Sequence, residues 1–560
     1  MPSLLPPPES TTTTMSLTAL VEELLREQQA LSAVENFSQQ HATGAPSQER
    51  YYRSLLPSSP PGPGEQYAFE VDLDCCSGCK ACVTACHSLN GLAEGETFRD
   101  VGLLIGGTST LPVLQHVTAA CHHCVEPACQ AVCPTLAYDK DPLTGIVKHL
   151  DDQCFGCQYC ILACPYEVPQ YNARKGIVRK CDMCSSRLKA GEAPACVQAC
   201  PHQAIAIRLV KVADVAADCE ANSFLPGAPD PQLTLPTTNY KTAKSFPRNM
   251  LPADYYAAHA AHAHLPLIAM LVLTQLSVGA LWVRAALSLA GLPVVAALEP
   301  LQAISALLFG LVASGAATLH LGRPHLAYRA VLGLRKSWLS REIVAFGVFS
   351  GLASLEAART WLSPQHSTAP DLLGWGVLIS GFVGVFCSVM IYHCTRRSTW
   401  IGPRTFLRFF GSTLWLGLST TLLVAAIVAG VRPDLSIGAV LHDLGAILCP
   451  ALMLVAGLKL AYEACDLLQL LDRQHTPLKR SASLLVGELA SFTATRYTLG
   501  ILGGLVLPAV LWHESSSSHP AEWISTVAAM WLFSVAGETL ERALFFMAAA
   551  APRMPGGLKT

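Results

Sequence analysis

Hydrophobic residues are distributed differently in the two halves of this chain. Charged residues are common before Leu251 and sparse, over long runs, after it. From His264 onward, eight apolar segments are long enough to cross a lipid bilayer as helices. Their approximate bounds are 265–290, 300–321, 342–362, 371–394, 411–430, 438–463, 497–513 and 523–548. The pattern predicts a soluble front half followed by an all-α eight-helix transmembrane bundle.

The loops between these segments alternate between basic and almost uncharged. The basic side carries Arg323, Arg329, Arg335, Lys336, Arg341, Arg396, Arg397, Arg404, Arg408, Arg473, Lys479, Arg480, Arg496, Arg553 and Lys559. The opposite loops lie near 291–299, 364–370, 431–437 and 514–522, and their one basic residue is Arg432. Because basic loops stay in the cytoplasm, we expect a multi-pass protein of the inner (cytoplasmic) membrane. Its front half and both termini are then predicted on the cytoplasmic side.

The first 65 residues are predicted to be disordered or linker, apart from an amphipathic helix over 16–40. Apolar residues recur there at helical spacing. The polar face of the helix has almost no Lys or Arg, which favours docking on a protein over docking on lipid. Residues 1–15 show neither a twin-arginine signal nor a basic-then-apolar secretory leader.

Four further regions follow along the chain. Residues 66–211 are predicted to form an α+β ferredoxin-like domain, in which segments such as 145–148 and 204–207 suit small strands. Residues 212–258, which are rich in Pro and Thr, are expected to be a tether. The membrane anchor is predicted over 259–550 and a short tail over 551–560.

The overall composition agrees with two unlike halves. Of the 560 residues, 51% are hydrophobic, and the mean hydropathy is +0.37. Both values are too high for a wholly soluble protein. The net charge is −2, so no nucleic-acid partner is expected.

Seventeen of the 22 cysteines fall between Cys75 and Pro201. Sixteen of them form four groups: Cys76, Cys79, Cys82, Cys86; Cys121, Cys124, Cys129, Cys133; Cys154, Cys157, Cys160, Cys164; and Cys181, Cys184, Cys196, Cys200. Three close cysteines and a fourth, followed in three groups by proline, are typical of bacterial [4Fe–4S] ferredoxins. In that pattern the trio binds one cluster and the fourth cysteine binds a neighbouring cluster. Four groups therefore predict four [4Fe–4S] clusters.

Two other uses of cysteine fit less well. A disulfide framework is typical of small secreted domains, and structural zinc would explain isolated Cys-x2-Cys pairs but not four consecutive groups of four. Cys75 stands beside Cys76, and the two-residue gap to Cys79 favours Cys76 as the ligand. Neither Cys75 nor Cys219 is assigned a role.

The front half resembles the iron–sulfur subunit of the dimethyl sulfoxide reductase family of molybdoenzymes. The resemblance rests on the order of the four groups, on the eleven-residue gap in the last one, and on the residues around them. These include Cys79-Lys80-Ala81-Cys82, Cys164-Pro165-Tyr166, Pro169-Gln170-Tyr171-Asn172 and Lys180-Cys181-Asp182-Met183-Cys184.

The membrane half resembles the anchor subunit of the same family, an eight-helix quinol-oxidising protein. Here the resemblance rests on His320-Leu321-Gly322-Arg323-Pro324 and on Ser337-Trp338-Leu339-Ser340-Arg341-Glu342. The two subunits are usually separate chains in the family, and in this sequence they are similar to one fused polypeptide.

The resemblance implies which cysteines share a cluster. Set 1 would be Cys76, Cys79, Cys82 and Cys200; set 2 would be Cys121, Cys124, Cys129 and Cys164; set 3 would be Cys154, Cys157, Cys160 and Cys133; and set 4 would be Cys181, Cys184, Cys196 and Cys86. Sets 1 and 4 would face a catalytic subunit, and sets 2 and 3 would face the membrane.

His320 and Glu342 are the candidate catalytic residues of a quinol site. They flank one basic loop on the predicted cytoplasmic face, where two titratable groups could bind a quinol and accept its protons. From spacing alone, they could equally be an interfacial pair that anchors the loop. The resemblance favours the quinol site. Haem is not expected, since His264, His393 and His442 lie near the ends of different segments.

These observations predict an electron-transfer and membrane-anchor subunit. It would oxidise menaquinol or ubiquinol and pass electrons through four [4Fe–4S] clusters to a separate molybdopterin reductase for dimethyl sulfoxide or, if cytoplasmic, nitrate. On its own the chain would not act on the final substrate. Two alternatives stay open: electrons could flow in reverse, from a substrate dehydrogenase to quinone, or the membrane half could be an ion-translocating redox module.

Overall fold

The structure divides into a front half of short strands and helices and a back half of long helices. It is a computed structural model that describes residues 16–29, 35, 38, 48–362, 370–432, 435, 437–513, 520–550 and 553–556. The amphipathic helix is present at Leu17–Gln29 with its leucines exposed. The predicted disordered start, most of the remainder of the helix predicted to Gln40 and most of the predicted tail lie outside the described residues.

The front half is built on two small sheets. In the first, strand Glu65–Asp72 pairs antiparallel with Ile205–Lys211 and parallel with Asn239–Lys241. In the second, Asp100–Gly107 pairs antiparallel with both Pro112–Ala119 and Leu251–Pro252. The first sheet joins the two ends of the cysteine-rich region, because one strand precedes its first cysteine and the next follows its last.

Short hairpins and helices complete the front half. The two hairpins are Tyr138–Lys140 with Val147–His149 and Gln170–Asn172 with Ile177–Arg179. The helices are Glu49–Tyr52, Ala81–Leu89, Ala128–Val132, Tyr159–Ala163, Ser185–Lys189, Ala195–Gln198 and Val212–Glu220. Strands lie at the short apolar segments near 145 and 204, as predicted. This is the α+β ferredoxin-like arrangement that the sequence predicts.

The segment 212–258, predicted to be a tether, is packed on the front half. It provides helix Val212–Glu220 and one strand to each sheet. The Asn249 side chain also bonds both the backbone N–H and the carbonyl of Gly107, at 3.0 and 2.7 Å. The Pro and Thr content of this segment does not predict these contacts, because they depend on strands that are distant in sequence.

Among the residues that the structure describes, the back half has eight helices long and apolar enough to cross a membrane. They are Leu265–Leu289, Val295–Leu319, Trp338–Leu362, Leu372–His393, Gly402–Val431, His442–Leu471, Ala490–His513 and Trp523–Met547. The fifth span begins earlier than predicted, because Arg408 pairs with Asp466 at 2.5 Å and does not interrupt the helix. The count of eight agrees with the sequence.

The two halves share one hydrophobic core. Val132, Tyr159 and Ile177 of the front half pack in the same cluster as Ile268 and Tyr392 of the spans. The Tyr159 hydroxyl donates to the carbonyl of residue 391 at 2.8 Å. The front half is therefore seated on one end of the bundle.

Three glycines allow a close backbone approach between the halves. A Cβ at Gly156 would lie 2.3 Å from the Gly176 oxygen and 3.0 Å from the Gly322 Cα atom. A Cβ at Gly176 would lie 2.4 Å from the Gly322 oxygen. A Cβ at Gly322 would lie 2.2 Å from the Gly176 oxygen and 2.7 Å from the Tyr171 hydroxyl. Arg323 adds bonds to the carbonyls of Lys175 and residue 151, at 3.1 and 3.0 Å.

We expect Gly322→Ala to loosen this contact, because overpacking costs about 1–3 kcal/mol. Amide exchange over residues 154–176 should rise when it is measured by mass spectrometry on the full chain in detergent. Gly315→Ala is the matched control, since a Cβ at Gly315 meets nothing within 4 Å. Equal exchange in both variants would contradict the role of Gly322.

Candidate iron–sulfur and quinol sites

The four cysteine groups share one backbone feature. In each group, the residue directly before the second cysteine has a positive φ: Gly78 at 74°, His123 at 41°, Gly156 at 76° and Met183 at 60°. For His123 and Met183, this conformation costs about 1–2 kcal/mol. The repeated curl turns the first two cysteines of each group toward a common point, as a cluster-binding loop requires.

The predicted members of set 1 lie together. Burial raises the pKa of Cys76, and the thiolates of Cys82, Cys200 and Cys79 raise it further. Cys200 comes from the last group, over a hundred residues away in sequence. The sheet that joins both ends of the domain brings it there.

Set 4 shows the same exchange in the opposite direction. Burial raises the pKa of Cys86 to about 12, and the thiolates of Cys196 and Cys184 contribute. Thus Cys86, the last cysteine of the first group, faces the cysteines of the fourth group.

Set 2 encloses a small cavity. Its four thiols, Cys121, Cys124, Cys129 and Cys164, line that cavity with Lys180. Burial raises the pKa of Cys124 well above its usual value, and its three partners add to the effect.

Set 3 is gathered around Cys157. Burial raises the pKa of Cys157, with Cys133 the next largest cause and Cys154 contributing. Burial also raises the pKa of Cys160, and the thiolates of Cys157 and Cys133 add to the effect. All four predicted sets are therefore brought together by the fold.

The residues present fit cubane clusters. Backbone N–H groups point at cysteine sulfurs, from Ala137 to Cys133 at 3.2 Å and from Ala204 to Cys200 at 3.2 Å. Buried thiols with raised pKa values release their protons when a cation binds them. Within the described part of the chain, no three ligand-type side chains surround a single ion, and a cubane does not require this, because each thiolate binds a different iron.

The remaining cysteines lie apart from these sets. Cys75 is exposed, whereas Cys219 is buried in helix Val212–Glu220. Of the membrane cysteines, Cys387 and Cys449 are buried, whereas Cys465 is exposed. Helical periodicity does not distinguish a helix face toward protein from one toward lipid.

A cavity of about 320 Å³ lies where set 3 meets the membrane half. It is lined mainly by apolar side chains, including Leu267, Met270, Ile343 and Phe346. Its polar lining comes from Gln158, Tyr159, His264, Thr274, Ser314, Thr318, His320, Glu342 and Tyr392, and Cys157 also borders it. Both sequence-predicted quinol residues thus line one cavity that reaches a predicted cluster ligand.

His320 directly follows the second span and contacts the front half. Its ring lies within hydrogen-bond reach of the Cys157 backbone, and burial lowers the pKa of the imidazole below its usual value. The ring is therefore neutral near pH 7, and one nitrogen is available as an acceptor.

Glu342 is the fifth residue of the third span and is 3% exposed. The Ser388 hydroxyl on the fourth span donates to one of its carboxylate oxygens. The bond orients the carboxylate in a mostly apolar surrounding.

Sequence reasoning missed His264 as a residue of this cavity. Its ring centroid is 5.2 Å from that of His320, in an edge-to-face arrangement. Its position directly before the first span was the available signal. His393 instead accepts a bond from the Gly402 N–H at 3.0 Å, and His442 is exposed beside Asp443, so these histidines do not converge.

Sequence models of two protein families match this protein. A 4Fe-4S dicluster domain matches residues 113–209. The DMSO reductase anchor subunit (DmsC) matches residues 258–547, which is just over half of the 560 residues.

Curated relatives match the front half. The B subunit of the anaerobic dimethyl sulfoxide reductase of Haemophilus influenzae is 41% identical over 150 residues, which are 25% of this chain and 73% of that protein. The probable anaerobic dimethyl sulfoxide reductase subunit YnfG of Escherichia coli K12 is 40% identical, over 25% and 72%. Thiosulfate reductase electron transfer subunit PhsB of Salmonella typhi is also 40% identical, over 25% and 74%.

Fold and matches together define a multi-pass membrane protein that carries an iron–sulfur electron-transfer domain. The protein belongs to the dimethyl sulfoxide reductase family, and it joins that family's iron–sulfur subunit and its membrane anchor in one polypeptide.

The cross-group pairing makes a prediction for cysteine variants. We expect Cys133→Ala to disturb the same electron paramagnetic resonance (EPR) signal as Cys157→Ala, because both belong to set 3. Cys164→Ala should instead share its lost signal with Cys124→Ala. If Cys133→Ala disturbed the EPR signal that Cys124→Ala also disturbs, the pairing would be wrong. Cys75→Ala is the control and should leave every signal unchanged.

Proposed function

We propose that this chain is the quinol-oxidising, electron-transfer and anchor subunit of a molybdopterin reductase complex. The observation that carries the proposal is the cavity in which His320 and Glu342 meet the Cys157 end of set 3. A quinol there would lie between two proton acceptors and the ligand of a one-electron carrier. We further propose that all sixteen grouped cysteines bind iron, in four [4Fe–4S] clusters.

The chain's residues divide the chemistry of quinol oxidation between them. A quinol loses two electrons and two protons. The neutral His320 ring would accept a hydrogen bond from one hydroxyl and take its proton, while the Glu342 carboxylate would do the same for the other. Ser388 keeps that carboxylate oriented. When bound, the clusters supply one-electron transfer away from the quinol.

The outer end of the electron path suits a protein partner. Cys79 of set 1 is exposed, and Cys76 and Cys200 are partly exposed, whereas sets 2 and 3 are more enclosed. We propose that a separate molybdopterin catalytic subunit covers set 1, since two of the relatives above are named as parts of dimethyl sulfoxide reductases. Dimethyl sulfoxide and nitrate are the candidate final substrates, and the relative PhsB adds thiosulfate.

The reverse direction, from a substrate dehydrogenase to quinone, uses the same residues. The direction of electron flow is set by the potentials of the quinone, the clusters and the partner. The EPR measurement described below tests it. Reduction of the clusters by menaquinol supports the forward direction.

The ion-translocating alternative depends on a buried charge cluster in the later spans. Glu538 binds Lys459 at 2.7 Å and Arg496 at 2.8 Å. Glu463 binds the same two cations at 2.9 and 3.1 Å. Because each carboxylate is held by two cations, the pairing supports a structural role in packing these helices over a path for protons.

We expect His320→Ala and Glu342→Gln each to slow cluster reduction by menaquinol at least about tenfold, or about 1.4 kcal/mol of activation free energy. Each variant removes one proton acceptor. The rate is measured by rapid-freeze EPR on membranes that contain the full chain.

His442→Ala is the matched control, because this histidine is exposed near the start of the sixth span. It should leave the rate unchanged. Wild-type rates in both site variants would show that the quinol site lies elsewhere, and a loss of EPR signals would report damaged clusters instead.

We propose that the front half lies on the cytoplasmic side of the inner membrane. The basic loops support this orientation through their charge. Several of the same arginines also bind the front half, since Arg329 donates to the carbonyl of residue 152 at 2.6 Å and Arg397 to that of Leu162 at 3.0 Å. Docking alone would account for those two, so the orientation needs a direct measurement.

We expect alkaline phosphatase fused after Thr560 to be inactive and green fluorescent protein at the same place to be fluorescent. An insertion of either reporter at residues 364–370, in the loop after the third span, should give the opposite pair of results. Active phosphatase after Thr560 would place the iron–sulfur domain in the periplasm and reverse the assignment.

A further inference from the structure

Arg99 is a buried cation at the centre of the iron–sulfur domain. It is 2% exposed, and its guanidinium lies 4.5 Å over the Phe69 ring. One nitrogen donates to the Thr118 hydroxyl at 3.2 Å. Its Nε and Nη2 atoms are buried and have no hydrogen-bond partner among the described residues. A buried charge of this kind is costly unless negative charge lies beside it.

The negative charge beside Arg99 comes from cysteines of two different sets. Burial lowers the pKa of the guanidinium, but the thiolates of Cys196, Cys82, Cys181 and Cys86 more than offset this and raise it overall. Cys82 belongs to set 1, and the other three belong to set 4. The packing agrees with this. The Thr118 hydroxyl that accepts from Arg99 lies 3.6 Å from the Cys82 sulfur. The Phe69 ring beneath the guanidinium packs in one hydrophobic cluster with Cys82, Cys86, Cys181 and Cys196. Arg99 therefore lies between these two sets.

Lys180 occupies the equivalent place between sets 4 and 2. It is 5% exposed, and its ammonium donates to the carbonyls of Val147 at 2.5 Å and Cys181 at 2.7 Å. The sulfur of Cys121 lies 3.5 Å away. Lys180 also lines the cavity that the four thiols of set 2 enclose.

The third junction, between sets 2 and 3, holds a neutral group. The Tyr138 side chain is 5% exposed and packs in one hydrophobic cluster with Cys133 and Cys160 of set 3. Cys129 of set 2 packs against the same cluster. The junctions therefore give the linear order set 1, Arg99, set 4, Lys180, set 2, Tyr138, set 3.

We propose that Arg99 and Lys180 are inter-cluster cations that raise the reduction potentials of the two cluster sites on either side of each. The inference rests on the proposed four clusters. Reduction adds one negative charge to a cluster, so a fixed cation in a low-dielectric interior stabilises the reduced form. Set 4 lies between both cations, sets 1 and 2 each touch one, and set 3 touches neither.

Redox titration of the full chain in detergent, followed by EPR, tests this assignment. Arg99→Gln keeps hydrogen-bond donors but removes the charge, and it should lower the midpoint potentials of sets 1 and 4. Lys180→Met should lower those of sets 2 and 4. We expect at least a tenfold change in the reduction equilibrium, which is about 59 mV for a one-electron couple. Set 3 should not change in either variant.

Charge-retaining variants separate charge from packing. Arg99→Lys and Lys180→Arg should keep midpoints close to those of the unaltered chain. Arg208→Met is the surface control, since this arginine lies 38% exposed beside Glu70, and it should shift nothing. If a neutral variant loses the two flanking clusters while its charged counterpart keeps them, the cation acts in cluster assembly, and this result counts against the proposal.

Three further results would overturn the proposal. These are unchanged midpoints with all clusters present, an equal shift in all four sets, and loss of clusters in the charge-retaining variants. Iron content is read separately. Fewer than four clusters in the unaltered chain would contradict the proposed function itself.

Discussion

The contact of three glycines, Gly156, Gly176 and Gly322, is the constraint on which the rest of this structure depends. It lets the loop of set 3 touch the loop after the second span, with backbone atoms where side chains would otherwise stand. Cys157 and His320 are neighbours because of it. The cavity that joins the two halves, and with it the proposed electron entry, exists only where this contact is made. Fusion of the two halves in one polypeptide keeps them together but does not set this geometry.

Both halves bury many charged groups, and they compensate them in different ways. In the bundle, carboxylates and cations pair directly, as Glu538 does with Lys459 and Arg496. In the iron–sulfur domain, Arg99 and Lys180 have thiolates beside them instead of carboxylates. That difference is physically reasonable, because a buried carboxylate beside a cluster would disfavour its reduction, whereas a buried cation favours it.

Local sequence patterns predicted most of the fold, and long-range contacts account for the misses. Apolar length alone identified eight spans, since a bilayer allows few other conformations for such segments. The bounds failed where Arg404 and Arg408 begin the fifth span, because Asp466 neutralises them from another helix. The tether over 212–258 was predicted from its Pro and Thr content, but its strands pair with Glu65–Asp72 and Asp100–Gly107. Pairing of that kind has no local pattern.

The sequence by itself determined the sixteen candidate cysteine ligands, because their spacing reflects local loop geometry. For His320 and Glu342, spacing left a quinol site and an interfacial pair equally open, and the resemblance to a known family favoured the quinol site. The resemblance to a known family supplied the sharing of cysteines between groups. Only the tertiary structure brought His264 to the cavity, since its neighbour His320 is distant in sequence. Only the tertiary structure placed Arg99 and Lys180 between cysteine sets. A single basic residue in a sequence is normally predicted to lie on the surface, and only the fold shows that these two are buried. Cysteine ligands can be recognised from their number and spacing in the sequence, whereas the groups that surround them are identified only from their burial in the structure.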